Sequence, residues 1–244
     1  MIVEVTGPTG VGKSTFLKAL INKLNKGHYP TGAVLEHRFN FSSEIPESLS
    51  DLETHNIQTD LLVLPYTLKF LSRNLRFFWF CLLHILHDTC SFHEKLNLAR
   101  SFTRKAGIRA FLTRLQLKHL IVCVDEGLMH TAHNILVSPT HLAPSTSIDD
   151  FLRVCPPPDL LIVLMDSPET LLGNLNARGN LSPRVRGTED LACFVENASE
   201  LYSSVINSAH LPDNTIIIHQ PLAQLDEALN FCVDKIDDCW NKHY

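Results

Sequence analysis

Eight consecutive residues near the start of the chain have the spacing of a phosphate-binding turn. The pattern G-x-x-x-x-G-K-[ST] is matched at every defined position by Gly7-Pro8-Thr9-Gly10-Val11-Gly12-Lys13-Ser14. Glycines in such a turn let backbone N–H groups point at phosphate oxygens, and the helix that follows presents its positive end to them. Lys13 would reach the β- and γ-phosphates of ATP, and the Ser14 hydroxyl would bind Mg²⁺. The predicted nucleotide-binding residues are Gly7, Thr9, Gly10, Val11, Gly12, Lys13 and Ser14.

Carboxylates that follow two apolar runs could complete this site. Asp125 and Glu126 follow the run 120–124, where a P-loop fold needs an acidic residue to help hold Mg²⁺, and Asp125 is predicted for that role. Glu126 could deprotonate a substrate hydroxyl, activate a water as in hydrolysing ATPases, or cap a helix starting near Leu128. Glu36, after the run 33–35, is either a rival base at the ligand crevice or a solvated loop residue.

Three arginines lie in one loop bounded by glycine and proline. They are Arg178, Arg184 and Arg186. Guanidinium groups on such a loop could close over a transferring phosphoryl group and offset the charge that develops on its oxygens. The alternative is a solvated basic loop.

The elements that must position these residues alternate between strands and helices. Strands are predicted at 2–5, 33–35, 120–124, 159–165 and 215–218, and helices at 14–24 and 222–239. The unbroken apolar runs among them are typical of central parallel strands, which are buried on both faces. Residues 61–117 have helical spacing, which predicts two long helices with a break near 87–92. The pattern predicts an α/β fold with a helical section inserted after the second strand.

Composition narrows the class of protein. A chain of 244 residues that is 45% hydrophobic can form a sizeable core and is not intrinsically disordered. The seven cysteines include no C-x-x-C pair, and the first residues lack the basic region of a secretory signal, so reduced thiols and a cytoplasmic location are expected. The apolar stretch 77–87 is shorter than the roughly 20 residues of a membrane-spanning helix. A soluble or at most peripheral protein is expected.

The order of these features resembles that of the thymidylate kinase-like P-loop nucleoside and nucleotide kinases. The resemblance is carried by the P-loop, by a strand–D-x-P-E–helix–A-R-G sequence over 159–179, and by the arginine loop, which is similar to the LID of that family. Residues 194–202 look like the helix after the LID, and residues 214–222 look like the final strand and turn. The resemblance covers roughly residues 1–37 and 120–240.

The resemblance implies a three-layer P-loop kinase fold with a five-stranded parallel sheet in the order 2-3-1-4-5. It implies a single domain over 1–244, with a helical acceptor region at about 60–118 and a LID at about 178–187. By position, the ATP phosphates and Mg²⁺ would contact Gly12, Lys13, Ser14 and Thr15. The LID arginines would be Arg178, Arg184 and Arg186. Arg73 lies where the family has an arginine for the acceptor phosphate.

Two departures from the family pattern concern the acceptor. Thymidylate kinases usually have an acidic residue inside the P-loop, where this chain has Pro8, Thr9 and Gly10. They also have Asp-Arg-Tyr/His after the third strand, where this chain has Asp125-Glu126-Gly127. Loss of that arginine removes an expected contact to the acceptor, which argues against thymidylate. From the resemblance, this chain is therefore expected to share the reaction class of the family but not its acceptor.

The inserted section is strongly basic. Between Leu61 and His119 there are ten basic and two acidic residues, whereas the remainder of the chain has a net charge of −13. Such segregation predicts that this section faces something anionic. Three interpretations stay open, in falling order of preference: an amphipathic hairpin with a solvated charged face, a pocket for an anionic small-molecule acceptor with Arg73 and Arg76, and a surface that rests on an anionic membrane. Nucleic acid is not expected, since no reader module accompanies the charge.

Histidines form two further groups. A zinc site could use the spacing of His84, His87, Cys90 and His93, but these residues straddle the predicted helix break, so a structural role is preferred. His130 and His133 follow Asp125-Glu126-Gly127 toward the presumed crevice. Contact of His130 with the acceptor is one interpretation, and helix packing is the other.

Together these patterns predict an ATP-dependent kinase that transfers the γ-phosphoryl group to a small acceptor, either nucleoside- or nucleotide-like or another hydroxyl or phosphate compound. Lys13 and the LID arginines would stabilise the transferring group, and Glu126 or Glu36 would accept the proton. The alternatives are an ATP-hydrolysing switch in which Glu126 activates water and a non-catalytic nucleotide-binding protein. A homodimer is compatible with the sequence, and ATP is not distinguished from GTP.

Overall fold

The computed structural model describes residues 1–26, 34–35, 57–114, 120–142, 144–178, 185 and 187–243. The strands within these ranges are β1 (Ile2–Thr6), β2 (Val34–Leu35), β3 (Ile121–Asp125), β4 (Leu160–Met165) and β5 (Thr215–His219). The helices within them are α1 (Lys13–Lys26), α2 (Ile57–Arg73), α3 (Leu75–His87), α4 (Phe92–Arg114), α5 (Thr131–Leu136), α6 (Ser145–Val154), α7 (Pro168–Arg178), α8 (Thr188–Asn207) and α9 (Leu225–His243).

The five strands form one parallel sheet in the order β2-β3-β1-β4-β5, which confirms the predicted fold class and strand order. β1 lies in the centre, where Val3 pairs with Cys123 of β3 and with Leu160 of β4. Because the strands are parallel, their carboxyl ends meet at one edge of the sheet. The turn after β1 and the acidic residues that end β3 therefore lie side by side.

Helices cover both faces of the sheet. On one face Phe16 of α1 and Ile236 of α9 belong to a core cluster that also contains Val3 and Val5. On the other face Tyr202 of α8 belongs to a second cluster, built mainly by α3 to α6 and α8. Side chains of a strand alternate between its two faces, so Glu4 and Thr6 of β1 lie on the same face as this second cluster.

The inserted helical section contains three helices, α2, α3 and α4, where two were predicted. The break near 87–92 is confirmed, since α3 ends at His87 and α4 begins at Phe92. The additional boundary lies at Asn74, whose φ of −123° and ψ of 50° are not helical. Its side-chain Nδ2 donates to the Phe70 carbonyl at 2.9 Å. Asparagine side chains compete in this way for backbone groups, and helical periodicity alone does not reveal it.

Candidate active site

The phosphate-binding turn requires glycine at two positions for two separate reasons. Gly10 and Gly12 have φ values of 92° and 88°, a region that side-chain-bearing residues rarely adopt. A Cβ on Gly10 would lie 2.9 Å from the Leu171 carbonyl oxygen, and a Cβ on Gly12 would lie 2.7 Å from the Leu222 Cδ1. The turn is therefore packed directly against α7 and against the segment after β5.

Two side-chain hydrogen bonds fix this turn to neighbouring helices. Asn174 of α7 donates from Nδ2 to the Gly10 carbonyl at 2.9 Å. Thr9 Oγ1 lies 2.7 Å from Nε2 of His133 on α5. Burial lowers the pKa of His133 to about 3, so this ring is neutral. These bonds hold the turn at the N-terminus of α1, the end of a helix that attracts anions.

Lys13 is buried at the centre of the turn. Its Nζ donates to the carbonyl oxygens of Gly7 at 3.1 Å and Pro8 at 3.2 Å. The same nitrogen lies 3.4 Å from Oε1 of Glu126. The ammonium group is thus placed between the phosphate-binding turn and the carboxylate that follows β3.

Ser14 and Asp125 meet across the carboxyl edge of the sheet. Ser14 Oγ donates to Asp125 Oδ2 at 2.9 Å, and the buried Asp125 Oδ1 has no hydrogen-bond partner within the described ranges. Burial, and next Glu126, raise the pKa of Asp125 above its ordinary value. A hydroxyl and a carboxylate are hard oxygen ligands that suit Mg²⁺, and a cation would satisfy the unpartnered oxygen. These two residues therefore fit the predicted metal site.

A metal site built from protein ligands alone is not found in the described part of the chain. No three His, Cys, Asp or Glu residues there are grouped so that they could hold an ion. This includes His84, His87, Cys90 and His93, all of which are described. Mg²⁺ commonly takes one or two protein ligands and completes its shell with phosphate oxygens and water, which is compatible with Ser14 and Asp125.

Glu126 has an unusual backbone conformation, with a φ of 56°. Residues other than glycine, asparagine and aspartate seldom adopt such values, and a strained residue at a site edge is often functional. Its Oε1 lies 3.4 Å from Nε2 of His130. His130 foremost, and Lys13 and Lys105 as well, lower the pKa of Glu126, so the group is a carboxylate. The capping alternative is not supported, because α5 begins at Thr131 and has no side-chain cap hydrogen bond.

His130 belongs to a buried hydrogen-bond network that the sequence did not reveal. Tyr202 Oη lies 2.7 Å from Thr6 Oγ1 and 3.0 Å from His130 Nδ1. Burial lowers the pKa of His130 well below its ordinary value. The ring is thus positioned to orient Glu126. In sequence, Tyr202 is indistinguishable from other apolar residues on the inner face of α8.

Two buried ionisable residues, which the sequence analysis also missed, lie beneath Glu126. Glu4 accepts a hydrogen bond from the His130 backbone N–H at 3.2 Å, and burial raises its pKa to about 7. Lys105 Nζ is buried without a hydrogen-bond partner among the described residues, and burial lowers its pKa. Glu4, Lys105, Arg109 and Glu126 line a cavity of about 30 Å³. The sign of a buried charge that the sequence offered was Glu4, a charged residue inside the largely apolar strand Ile2–Thr6.

The predicted arginines that the structure describes do not lie in the cluster around the P-loop. Arg178 is exposed at the end of α7, and Arg76 is exposed in the first turn of α3. Arg73 is exposed and lines a separate groove to which no P-loop residue contributes. The predicted residues Glu36, Arg184 and Arg186 lie outside the described residues. The structure therefore brings together Lys13, Ser14, Asp125, Glu126 and His130.

Part of the chain is similar in sequence to known proteins. No protein-family model matches the chain. Cytidylate kinase of Chlamydia trachomatis serovar A is 30% identical over 129 residues, which are 52% of this chain and 57% of that protein. Cytidylate kinase of Chlamydia felis is 30% identical over the same length. The chain thus spans little more than half the length of the curated relatives it matches.

Solved structures share the fold over nearly the whole chain. A deoxyadenosine kinase from M. mycoides, with dCMP and a flexible dCDP bound, has a TM-score of 0.51, covers 98% of this chain and 100% of its own, and is 13% identical. A thymidylate kinase from Ehrlichia chaffeensis has a TM-score of 0.50, covers 97% of this chain and 98% of its own, and is 12% identical. The chain therefore has the fold of the P-loop nucleoside and nucleotide kinases, as the resemblance in its sequence predicts.

Proposed function

We propose that the chain is an ATP-dependent phosphotransferase, a kinase that moves the γ-phosphoryl group to a small acceptor. The observation that carries this proposal is the cluster at the carboxyl edge of the sheet. There the Lys13 ammonium lies 3.4 Å from Glu126, and the Ser14 hydroxyl lies 2.9 Å from Asp125. Phosphoryl transfer requires a phosphate cradle, a place for Mg²⁺ and a residue that orients the nucleophile. This cluster has a candidate for each.

The nucleotide would lie along the turn from Gly7 to Thr15, whose backbone N–H groups contact its phosphates. Lys13 would exchange carbonyl contacts for the β- and γ-phosphates, and Ser14 and Asp125 would hold Mg²⁺. When bound, the ion neutralises part of the phosphate charge. In this chemistry, positioning and electrostatic stabilisation supply most of the rate enhancement.

Glu126 is the proposed base for the acceptor hydroxyl. Its lowered pKa keeps it ionised, and its neighbours His130 and Lys13 fix its orientation. A weakly basic carboxylate suits a loose transition state, in which the hydroxyl is oriented first and loses its proton late. Glu36 remains the rival for this role.

The acceptor is proposed to bind next to Glu126, on the side of α4. The cavity there, of about 30 Å³, is lined by Lys105, whose buried ammonium has no hydrogen-bond partner among the described residues. This cation favours an acceptor that carries a phosphate or several hydroxyl oxygens, such as a nucleoside or nucleotide, of which the cavity would hold only one polar group. We further propose one domain in which the section 60–118 forms the acceptor side. The loop 178–187, with Arg178, Arg184 and Arg186, would close over the phosphates.

Turnover of ATP, measured with and without a panel of nucleosides, nucleotides and sugars, tests the reaction class. A kinase consumes ATP only with its acceptor and releases the phosphorylated product. Turnover that needs no acceptor and disappears in Glu126→Gln would instead show an ATP-hydrolysing protein. ATP binding without turnover under any condition would show a binding protein.

Lys13→Ala tests the phosphate site, with Lys18→Ala on the exposed side of α1 as its matched control. Loss of a preorganised cation should lower kcat by about 10²- to 10³-fold, whereas the control should keep the parent activity. If Lys13→Ala bound ATP as tightly as the parent and turned it over as fast, the nucleotide site would lie elsewhere.

A further inference from the structure

Two consecutive helices of the inserted section carry large apolar side chains on their outer sides. Each of these residues is between 45% and 62% exposed. They recur at helical spacing, so on each helix they form one stripe. The stripe on α2 and the stripe on α3, together called the apolar face, consist of Leu61, Leu64, Leu68, Leu75, Trp79, Leu83 and Leu86.

Core packing does not explain the apolar face. The opposite side of α3 packs into the core through Phe77, Cys81 and Ile85, all of which are buried. α3 is therefore apolar on both its inner and its outer side. Contiguous exposed apolar patches on a protein surface mark sites that bind a partner or a membrane.

A cationic groove lies between α2 and α4, near the point where α2 passes into α3. Lys69, Arg73 and Arg114 line it together with Tyr66 and other residues of α2 and α4, and its volume is about 380 Å³. The Arg114 guanidinium carbon lies 5.6 Å from the centre of the Tyr66 ring. No acidic side chain is among the described residues that line the groove.

Successive residues of a helix are about 100° apart, so a basic residue that follows a stripe residue flanks the apolar face. Lys69 follows Leu68 at the end of the α2 stripe, and the exposed Arg76 follows Leu75 at the start of the α3 stripe. Over residues 57–114 the chain has nine basic and three acidic side chains. A partner for this surface must therefore present both apolar groups and negative charge.

We propose that the apolar face and the basic residues that flank it bind the surface of an anionic lipid bilayer. α3 would lie in the interface, with Trp79 and its neighbouring leucines between headgroups and acyl chains, and with Lys69 and Arg76 against lipid phosphates. Tryptophan is favoured at this depth. A second copy of the chain fits less well, because a symmetric contact would bring two positively charged surfaces together. Within the described residues no helix is long and apolar enough to cross a bilayer.

The two tryptophans of the chain give a direct test that is independent of any enzymatic activity. Trp240→Phe leaves Trp79 as the only tryptophan. This variant is titrated with vesicles of phosphatidylcholine, with and without phosphatidylglycerol. The expected result is a blue shift of Trp79 emission and co-sedimentation with the anionic vesicles only, and both are reversed by added salt.

Substitutions in the exposed stripe separate the apolar from the charged contribution. Leu83→Gln should weaken vesicle binding by about tenfold or more, and Phe231→Gln, an exposed apolar position on α9, is the matched control. Lys69→Gln and Arg76→Gln should each weaken it by about fivefold. All of these positions are exposed in the structure, and far-ultraviolet circular dichroism checks that the variants are folded.

Two results would overturn the proposal. One is Trp79 emission that does not change with anionic vesicles, or that changes equally with neutral ones. The other is a dimer in light scattering that Leu83→Gln converts to a monomer, because the apolar face would then be the contact between two copies of the chain.

Discussion

The buried carboxyl of Glu4 should make the stability of the chain depend on pH. Glu4 lies in the middle of the central strand β1 and is 4% exposed. Burial raises its pKa from 4.5 in a solvated chain to about 7 in the folded protein. A buried carboxyl titrates in this direction because the low dielectric disfavours the charged form.

The size and the sign of the effect follow from linkage between protonation and folding. Below pH 4.5 the carboxyl is protonated in both the folded and the unfolded state, so its ionisation does not change the free energy of unfolding. Between pH 4.5 and about 7 the unfolded chain loses the proton first, and the free energy of unfolding falls by about 1.4 kcal/mol per pH unit. The loss is complete above the folded-state pKa and amounts to about 3 kcal/mol.

Glu4→Gln should abolish this loss. The amide oxygen of glutamine can still accept the hydrogen bond that the His130 backbone N–H donates to the carboxylate at 3.2 Å. Urea unfolding of parent and variant is compared at a series of pH values, and the difference between them isolates Glu4 from other titrating groups. The variant should be about 3 kcal/mol more stable relative to the parent above pH 7 than below pH 4.5.

The control for this experiment is Glu196→Gln, at an exposed position in the middle of α8. The difference in free energy of unfolding between this variant and the parent should be nearly constant with pH. The difference in free energy of unfolding between Glu4→Gln and the parent could also stay constant across this pH range. Glu4 would then not be the buried, protonated group that the structure indicates. The reasoning about its environment would then fail.

Three further outcomes are expected. Gly107→Ala should lower the free energy of unfolding in urea by about 1–3 kcal/mol, because a Cβ there would lie 2.3 Å from Thr67 Oγ1. A Cβ at Gly173 would have no atom within 4 Å, so Gly173→Ala should leave the free energy of unfolding unchanged or raise it in the same assay. Tyr202→Phe removes a hydroxyl that bonds two buried side chains and should cost about 1–2 kcal/mol, measured in the same way. Cys193, the exposed cysteine, should react fastest with a thiol reagent, and mass spectrometry should show that Cys193→Ser removes this reaction.

Much of the fold could be predicted because its signals are local. The strands from Ile121 and from Leu160 are built on unbroken apolar runs, and the turn between Gly7 and Ser14 is encoded in consecutive residues. The contact between Ser14 and Asp125 followed from topology, since parallel strands place both at one edge. The strand order came from the family resemblance, because the pattern of the strands alone does not fix it.

The rest of the candidate site could not be predicted because distant residues build it. The hydrogen bond between Thr6 and Tyr202 joins positions 196 residues apart, and the bond from His130 to Glu4 joins positions 126 apart. Neither residue type nor spacing marks such pairs. The boundary at Asn74 was missed for a different reason, since apolar helical spacing continues through it on both sides.

The phosphate-binding turn has a consequence for how the chain acquires its shape during synthesis. Gly7, Gly10 and Gly12 are synthesised before the residues they pack against, Leu164, Leu171 and Leu222, which follow more than 150 residues later. Contacts this remote form slowly, because a long loop must close before they contribute any stability. A nascent chain that ends before Leu222 therefore contains the complete motif but lacks a residue that the folded turn packs against. Nucleotide should accordingly be captured only after Leu222 has been synthesised.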